Sequence, residues 1–472
     1  MTRKAQVVDI FTNTTNPVAL QAAHWRTTDI ANARAFIDAH GDEWRYAHNG
    51  GGWHEWDDGR WRRDATQSIC ARAQDAISHW WTEVGVAGSP EERELLAKHF
   101  LASGKVPRLQ AMLTLAATDR RVALPADAFD RDPWLLNVAN GTIDLRTGTL
   151  RPHRRADLIS KRAPIAYHPT AQCPQFHEFL QLIFEGQQEL IDFIQRAFGY
   201  SATGLVRDQC LFFCWGSGAN GKSTLLSIIH AVLGEYARTS APSLLMATKH
   251  DAHPTEIADL LGARLVSAIE TEQDRRLAEV KVKWLTGGDR LKGRFMRQDF
   301  FEFEATHKFW LAGNHKPVVT GTDPAIWRRI HLIPFVVNLK ETLQDNLVSD
   351  FAATLTDEFP GILAWIVEGA LAWHTGGLKP PSIVSAATAA YRQEMDAVGQ
   401  WIDECCERAA NARTPFKLLY NAYVEDLKAD AFSKRAFAQE LDRLGIHSDV
   451  VGGVKFRAGV RLRDDQQSRD DH

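Results

Sequence analysis

Apolar residues change their spacing several times along the 472-residue chain, and each change marks an element. Residues 210–215, CLFFCW, are apolar at every position, the pattern of a short strand buried on both faces of a parallel sheet. After a glycine-rich interval, Leu225, Ile228, Ile229 and Val232 recur at helical spacing. Residues 265–269, the run HKFWLAG and residues 330–335 repeat the buried-strand pattern, so the middle of the chain predicts an α/β core with a parallel sheet.

The flanks read differently. Residues 41–64 hold three aromatic-rich pieces separated by NGGG and DDG turn signals, a small meander. Trp61 is placed in its core, with Arg62 and Arg63 on a solvated rim rather than on a phosphate backbone. Residues 71–81, 91–115 and 176–198 have helical spacing, and short strands return around Asn140-Gly141 and Thr147-Gly148. Near the end, Leu418, Leu419 and Tyr423 line one helix, and Ser433 caps a second whose Phe437, Leu441 and Leu444 face inward. Two strands then flank Gly452-Gly453, and helix, helix, hairpin is a winged-helix pattern. The expected division is a polar N-terminal tail (1–27), a mixed α/β module (28–170), a helical connector (171–200) and the P-loop core (201–375). A linker and helix (376–397), a winged-helix domain (398–464) and a disordered tail (465–472) complete it.

The interval between the first core strand and its helix is GSGANGKST, in which Gly216, Gly221, Lys222 and Ser223 satisfy the phosphate-cradling pattern. Glycines let the chain turn sharply so that the backbone of Gly216, Ser217, Gly218, Ala219, Asn220 and Gly221 can point N–H groups at a triphosphate. Lys222 then meets the β- and γ-phosphates, Ser223 or Thr224 takes Mg²⁺, and the helix N-terminus adds partial positive charge. ATP and Mg²⁺ are the expected cofactors.

Hydrolysis needs an acid at a neighbouring strand end to hold the metal and another to orient water, and residues 265–269 run into Glu270 and Glu272. HKFWLAG ends in Asn314, a polar group for the γ-phosphate or the lytic water. Arg328 and Arg329 precede the last core strand, where a planar, permanently charged guanidinium suits a finger reaching into a neighbouring subunit.

The ordered set GSGANGKST, LVSAIETE, LTGGD, FWLAGNHKP and AIWRRIHLIPF resembles the superfamily 3 DNA helicases of viruses and plasmids, in particular the helicase half of the phage and plasmid primase-helicases and their poxvirus-type relatives. The five motifs fall in order over residues 216–335 and the likeness extends more weakly over 28–463. It implies an AAA+-like core, a hexameric ring of identical subunits and translocation on DNA. Matched by motif, Lys222, Glu270, Glu272, Asn314, Arg328 and Arg329 are the catalytic set, and Ser223 and Glu270 the metal ligands. The acids are split here as Glu-Thr-Glu, which leaves metal and catalytic roles unassigned between them. The residues before Thr28 are too few for a primase domain, so primer synthesis is not expected and a primase or polymerase would be a separate partner.

Charge is informative only locally. The chain carries 55 basic and 59 acidic residues, yet within residues 281–298 six cations (Lys281, Lys283, Arg290, Lys292, Arg294, Arg297) face only Asp289. This segment reads as two strands, 290–296 and 300–304, with a turn at 297–299, and matches the pore hairpin of the resembled family. Lys292, Arg294 and Arg297 are the expected contacts to single-stranded DNA, with Arg297 at the tip. On the C-terminal module, Lys434 and Arg435, with Gln439, Arg443, Lys455 and Arg457, are placed against a duplex or fork.

The expected function is an ATP-dependent helicase in the replication of a phage, satellite or plasmid. The alternatives are a nucleotide-switched, origin-binding or regulatory ATPase that does not unwind, and a P-loop kinase. Six cysteines without a C-x-x-C pair fit a reduced compartment. With no apolar signal core and no membrane-spanning run, the protein is expected in the cytoplasm of a bacterial host.

Overall fold

The computed structural model describes residues 27–463 except 49–50, 88, 126, 249–252, 271–274, 298, 320–322, 340–353 and 429–430. The expected tails 1–27 and 465–472 fall outside it apart from Thr27.

At the centre, five strands form a wholly parallel sheet in the order 330–334, 211–215, 308–313, 265–270, 237–239. The inner strands are buried at nearly every position, which is why they read as apolar runs rather than alternations. Register aligns their carboxyl ends. Trp215 pairs with Gly313 and Pro334, and Gly313 with Glu270, so four strands finish in one row. The strand 308–313 lies between strands 211–215 and 265–270, and whatever follows Gly313 therefore emerges beside both.

One apolar cluster runs from Leu136 to Val384 and takes in the helices Pro174–Ile183 and Gln188–Ala202. The connector of residues 171–200 is thus packed into the core unit. Trp310 of the sheet stacks on Phe198 at 4.1 Å, and Trp365 of the helix Phe359–Gly376 meets Phe176 edge-on at 5.2 Å. The Glu358 carboxylate accepts hydrogen bonds from the Gln175 and Phe176 backbone nitrogens, both at 3.0 Å, capping the Pro174–Ile183 helix from a segment far along the chain. The expected single helix over 176–198 is two helices, with Glu185 and Gly186 at positive φ between them.

The N-terminal meander forms as Trp44–Ala47, Gly52–Asp57 and Arg60–Arg63, joined by a strand the sequence did not signal, Ala123–Leu124, parallel to the first. Trp61 is fully buried, while Arg62 and Arg63 are exposed. The helical stretch over 91–115 is two helices, Pro90–Ser103 and Val106–Ala116, broken at Gly104.

The C-terminal module has its own core, in which Tyr423 stacks on Phe437 at 4.3 Å. Its two helices, Phe416–Leu427 and Lys434–Arg443, and the hairpin Ser448–Val451 and Val454–Leu462 follow the expected order. A further strand, Cys406–Pro415, pairs with 454–462 and completes a three-stranded sheet.

Candidate nucleotide site and nucleic-acid interface

Residues 216–221 leave the sheet after Trp215 and lead into the helix Lys222–Leu233. This is the crevice outside the carboxyl ends of parallel strands, where ligands of open α/β sheets bind. Gly216 is fixed by contact: a Cβ there would stand 2.0 Å from the Phe335 carbonyl oxygen. Gly221 has φ +87°, a conformation that carries the chain into the helix and is strained for other residues. Asn220 is buried and donates to the Phe335 carbonyl at 3.1 Å, tying the loop to the strand of the two arginines. The Leu339 nitrogen donates to the Ala219 carbonyl at 2.8 Å, so residues following that strand hold the loop from the other side.

Lys222 is buried, and burial lowers the pKa of its ammonium. It donates to the carbonyls of Gly216 (2.7 Å) and Ser217 (3.1 Å) and to the side-chain oxygens of Asn220 (2.9 Å) and Asn314 (3.2 Å). All four partners are neutral oxygens, so they solvate the charge without cancelling it. A buried cation in that condition is suited to an anion. The bond to Asn314 brings two residues 92 positions apart together, as the pairing of strand 308–313 with strand 211–215 requires. Ser223 is exposed on the first helical turn and Thr224 half-buried. Glu270 ends its strand in the same row, opposite Gly313. Glu272 lies outside the described residues.

The two arginines part company. Arg328 is exposed at the end of the short helix Pro324–Trp327, its backbone nitrogen donates to the Pro324 carbonyl at 3.1 Å, and its side chain makes no hydrogen bond or ion pair among the described residues. Arg329 is only 6% exposed and donates to Thr286 Oγ1 (3.2 Å), the Ala325 carbonyl (2.8 Å) and Gln209 Oε1 (3.0 Å). Its guanidinium is committed within its own chain.

The basic hairpin is shorter than the sequence predicts. Pairing covers Arg290–Gly293 against Phe301–Glu304, and residues 294–300 form a longer connection that includes undescribed Gln298. Gly293 packs its backbone on Ala258, and the Arg294 nitrogen donates to the Pro254 carbonyl at 3.3 Å instead of across the hairpin. Lys292, Arg294 and Arg297 are exposed, the last at φ +60°. Phe300, which charge counting overlooked, is 48% exposed, with Lys292 Nζ 5.3 Å and Arg294 Cζ 5.0 Å from its ring centroid. Arg290 is instead drawn to Asp127 (3.5 Å) and Glu302 (3.6 Å), and Lys283 to Asp323 (2.7 Å).

On the C-terminal module, Lys434 and Arg435 are exposed on the first turn of their helix. Cations there oppose the helix dipole, although Lys434 Nζ lies 5.4 Å from the Tyr420 ring centroid. Gln439 and Lys455 are also exposed. Arg457 and Arg443 differ from the expected duplex contacts: Arg457 is buried against the Ile446 and Ala438 carbonyls and pairs with Asp442, while Arg443 pairs with Asp396 and Glu440, both at 2.7 Å. No helix among the described residues is long and apolar enough to cross a membrane.

The family model described as D5 N terminal like matches residues 33–185, the N-terminal module and the first connector helix. The chain is 24% identical over 335 residues to the "Putative helicase L207/L206" of Acanthamoeba polyphaga mimivirus, covering 66% of this chain and 35% of that protein. It is 26% identical over 342 residues to the "Putative primase C962R" of African swine fever virus, with the same coverage. It therefore spans about a third of the length of these curated relatives, which belong to large DNA viruses rather than to a phage or plasmid. Among solved structures, the NrS-1 C-terminal region superposes with a TM-score of 0.52 at 12% identity, over 91% of this chain and 98% of that one, a likeness of fold.

Proposed function

Because the chain resembles the helicases of the primase-helicase family, we propose that it is an ATP-driven DNA motor of the superfamily 3 type, with an AAA+-like core working as a hexameric ring. The observation that carries this is the meeting of Lys222 with Asn314 at 3.2 Å on the edge where the Glu270 strand also ends. A P-loop kinase needs no such asparagine.

In this reading the loop 216–221 and Lys222 hold the phosphates, and Ser223 or Thr224 with Glu270 holds Mg²⁺. Neutral solvation of Lys222 and the fixed Gly216 turn fit an anionic phosphate chain. Bound ATP supplies the phosphoanhydride whose hydrolysis drives the cycle. Asn314 touches the lytic water or γ-phosphate, with Glu270 or Glu272 orienting the water. Arg328, whose side chain makes no hydrogen bond or ion pair among the described residues, is the finger offered to the next subunit. Arg329, spent internally, positions the strand that follows it. Lys292, Arg294 and Arg297 grip a single strand in the pore, and Lys434 and Arg435 meet a duplex or fork through a winged helix.

The test is displacement of a forked duplex by the full chain with ATP, alongside the Lys222→Ala variant. ATPase and unwinding should both vanish in the variant. ATPase without strand displacement by the wild type would favour a nucleotide-switched binding protein, and near wild-type hydrolysis by Lys222→Ala would remove the P-loop assignment.

A further inference from the structure

Asn314 follows the strand Lys308–Gly313 directly, on a bend outside the sheet, and its side chain is exposed. A site residue without packing of its own is placed by the groups that hold the chain around it. The chain after Asn314 is held from two sides. On one, the Val318 nitrogen donates to the Arg275 carbonyl (2.8 Å) and the Val318 carbonyl accepts from the Leu277 nitrogen (2.9 Å), in the segment that follows the strand Leu265–Glu270. On the other stands the helix Ser382–Glu394, from which buried Tyr391 donates its hydroxyl to the Pro317 carbonyl. At the end of that helix both Glu394 carboxylate oxygens accept from Lys316 Nζ, at 2.8 and 2.6 Å.

Lys316 joins these parts. Its side chain is 13% exposed, and its Nζ stands 4.2 Å from the ring centroid of Trp215, the last residue of the strand from which residues 216–221 depart. One ammonium thus ties together the end of strand 211–215, the bend that carries Asn314 and the last residue of helix 382–394. Lys316 also differs from Lys222 in what it touches. Lys222 has four neutral oxygens around it, whereas the charge of Lys316 is answered by a carboxylate, so its part is placement rather than anion binding. We infer that Lys316 is a positioning residue for hydrolysis, which keeps Asn314 at Lys222 by bearing on Trp215 at one end and Glu394 at the other. This rests on the nucleotide-site reading above. Misplacing a group at the reacting centre by about 1 Å costs on the order of a hundredfold in rate, and Asn314, still anchored by its strand, should lose about tenfold without Lys316.

The experiment measures steady-state ATP hydrolysis and equilibrium ATP binding by the full chain and its Lys316→Met, Lys316→Arg and Glu394→Gln variants, with Lys222→Ala beside them. Lys316→Met keeps an apolar stem over Trp215 and removes the charge. Its kcat and kcat/KM should fall together by about tenfold with ATP affinity within about twofold of wild type, since loop 216–221 and Lys222 still hold the phosphates. Lys316→Arg keeps the charge and the aromatic contact and should restore most of the turnover. Glu394→Gln should act in the same direction as Lys316→Met, and because Glu394 works through Lys316, adding it to Lys316→Met should cost nothing more. Glu394 is exposed, so its variant reads the same contact if Lys316→Met disturbs folding. Wild-type kcat in Glu394→Gln, or a Lys316→Met loss that Lys316→Arg does not repair or that falls equally on ATP affinity, overturns the inference while an inactive Lys222→Ala leaves the nucleotide site standing. Near wild-type hydrolysis by Lys222→Ala removes the nucleotide-site reading and this inference with it.

Discussion

Arg328 and Arg329 are neighbours in sequence with opposite expected failures, and Arg329→Ala gives the sharper of the two. The guanidinium donates three hydrogen bonds to neutral oxygens in a 6% exposed setting, and it joins the helix carrying Thr286 and the loop carrying Gln209 to its own strand. Hydrogen bonds involving a charged group contribute roughly 1.5–3 kcal/mol each, but alanine also relieves the burial of a cation, so a net loss of about 3 kcal/mol is expected. For a unit of about 150–250 residues, each kcal/mol moves the midpoint by roughly 2–4 °C, giving a fall of about 6–12 °C. The assay is a thermal melt of the full chain followed by scanning calorimetry. Arg328→Ala, at an exposed position, should leave that transition within about 0.5 kcal/mol of wild type while reducing turnover about a thousandfold. If Arg329→Ala melts like wild type yet loses turnover, its contacts within the chain are not its purpose and the finger assignment moves to it.

Three further outcomes follow from the same geometry. Mixing Arg328→Ala with Lys222→Ala protein should restore partial ATPase, because mixed rings form some sites with both parts intact; no recovery despite proven co-assembly counts against a finger acting in trans. Arg294→Ala with Arg297→Ala should reduce unwinding far more than basal ATPase and flatten the slope of log affinity against log salt by about 1.4, at roughly 0.7 per phosphate contact. Truncation before residue 398 should weaken duplex binding, measured by gel shift, with ATPase retained, since that module has a separate apolar core.

What was legible in the sequence was local. The strand Leu211–Trp215, the turn after it and the helix Lys222–Leu233 are consecutive, and each carries its own signal: an unbroken apolar run, glycines, then helical spacing. Where stability comes from a distant partner, the signal is absent. Cys406–Pro415 reads CERAANARTP, without alternation, and is a strand because 454–462 pairs with it across a register shift between Arg408 and Arg413. Ala123–Leu124 is two residues long and exists through its pairing with Tyr46 and Ala47. Charge counting likewise finds cations without their directions. Arg457 and Lys455 are two residues apart on one strand, yet one is buried and the other exposed. Arg328 and Arg329 divide in the same way at the end of a helix.

Phe300 is the exposed aromatic beside the hairpin cations that charge alone hid, and on the proposed reading its ring and those cations make separable predictions. A base stacked on an aromatic ring contributes roughly 1–3 kcal/mol and does so without releasing counterions. Phosphate contacts from Lys292 and Arg294, on the proposed reading, would release them. Phe300→Leu keeps an apolar side chain but removes the aromatic face, so affinity for a labelled oligothymidylate should fall about tenfold at every salt concentration with the slope unchanged. Arg294→Ala should instead lower the slope by about 0.7. Both cations lie near the ring, so its loss also frees them to move, and anisotropy titrations across a salt series separate the two effects. If Phe300→Leu binds as wild type, the ring is a support for the cations rather than a contact; if its slope falls as that of Arg294→Ala does, the ring acts by holding the cations toward phosphate and stacking has no part in the grip.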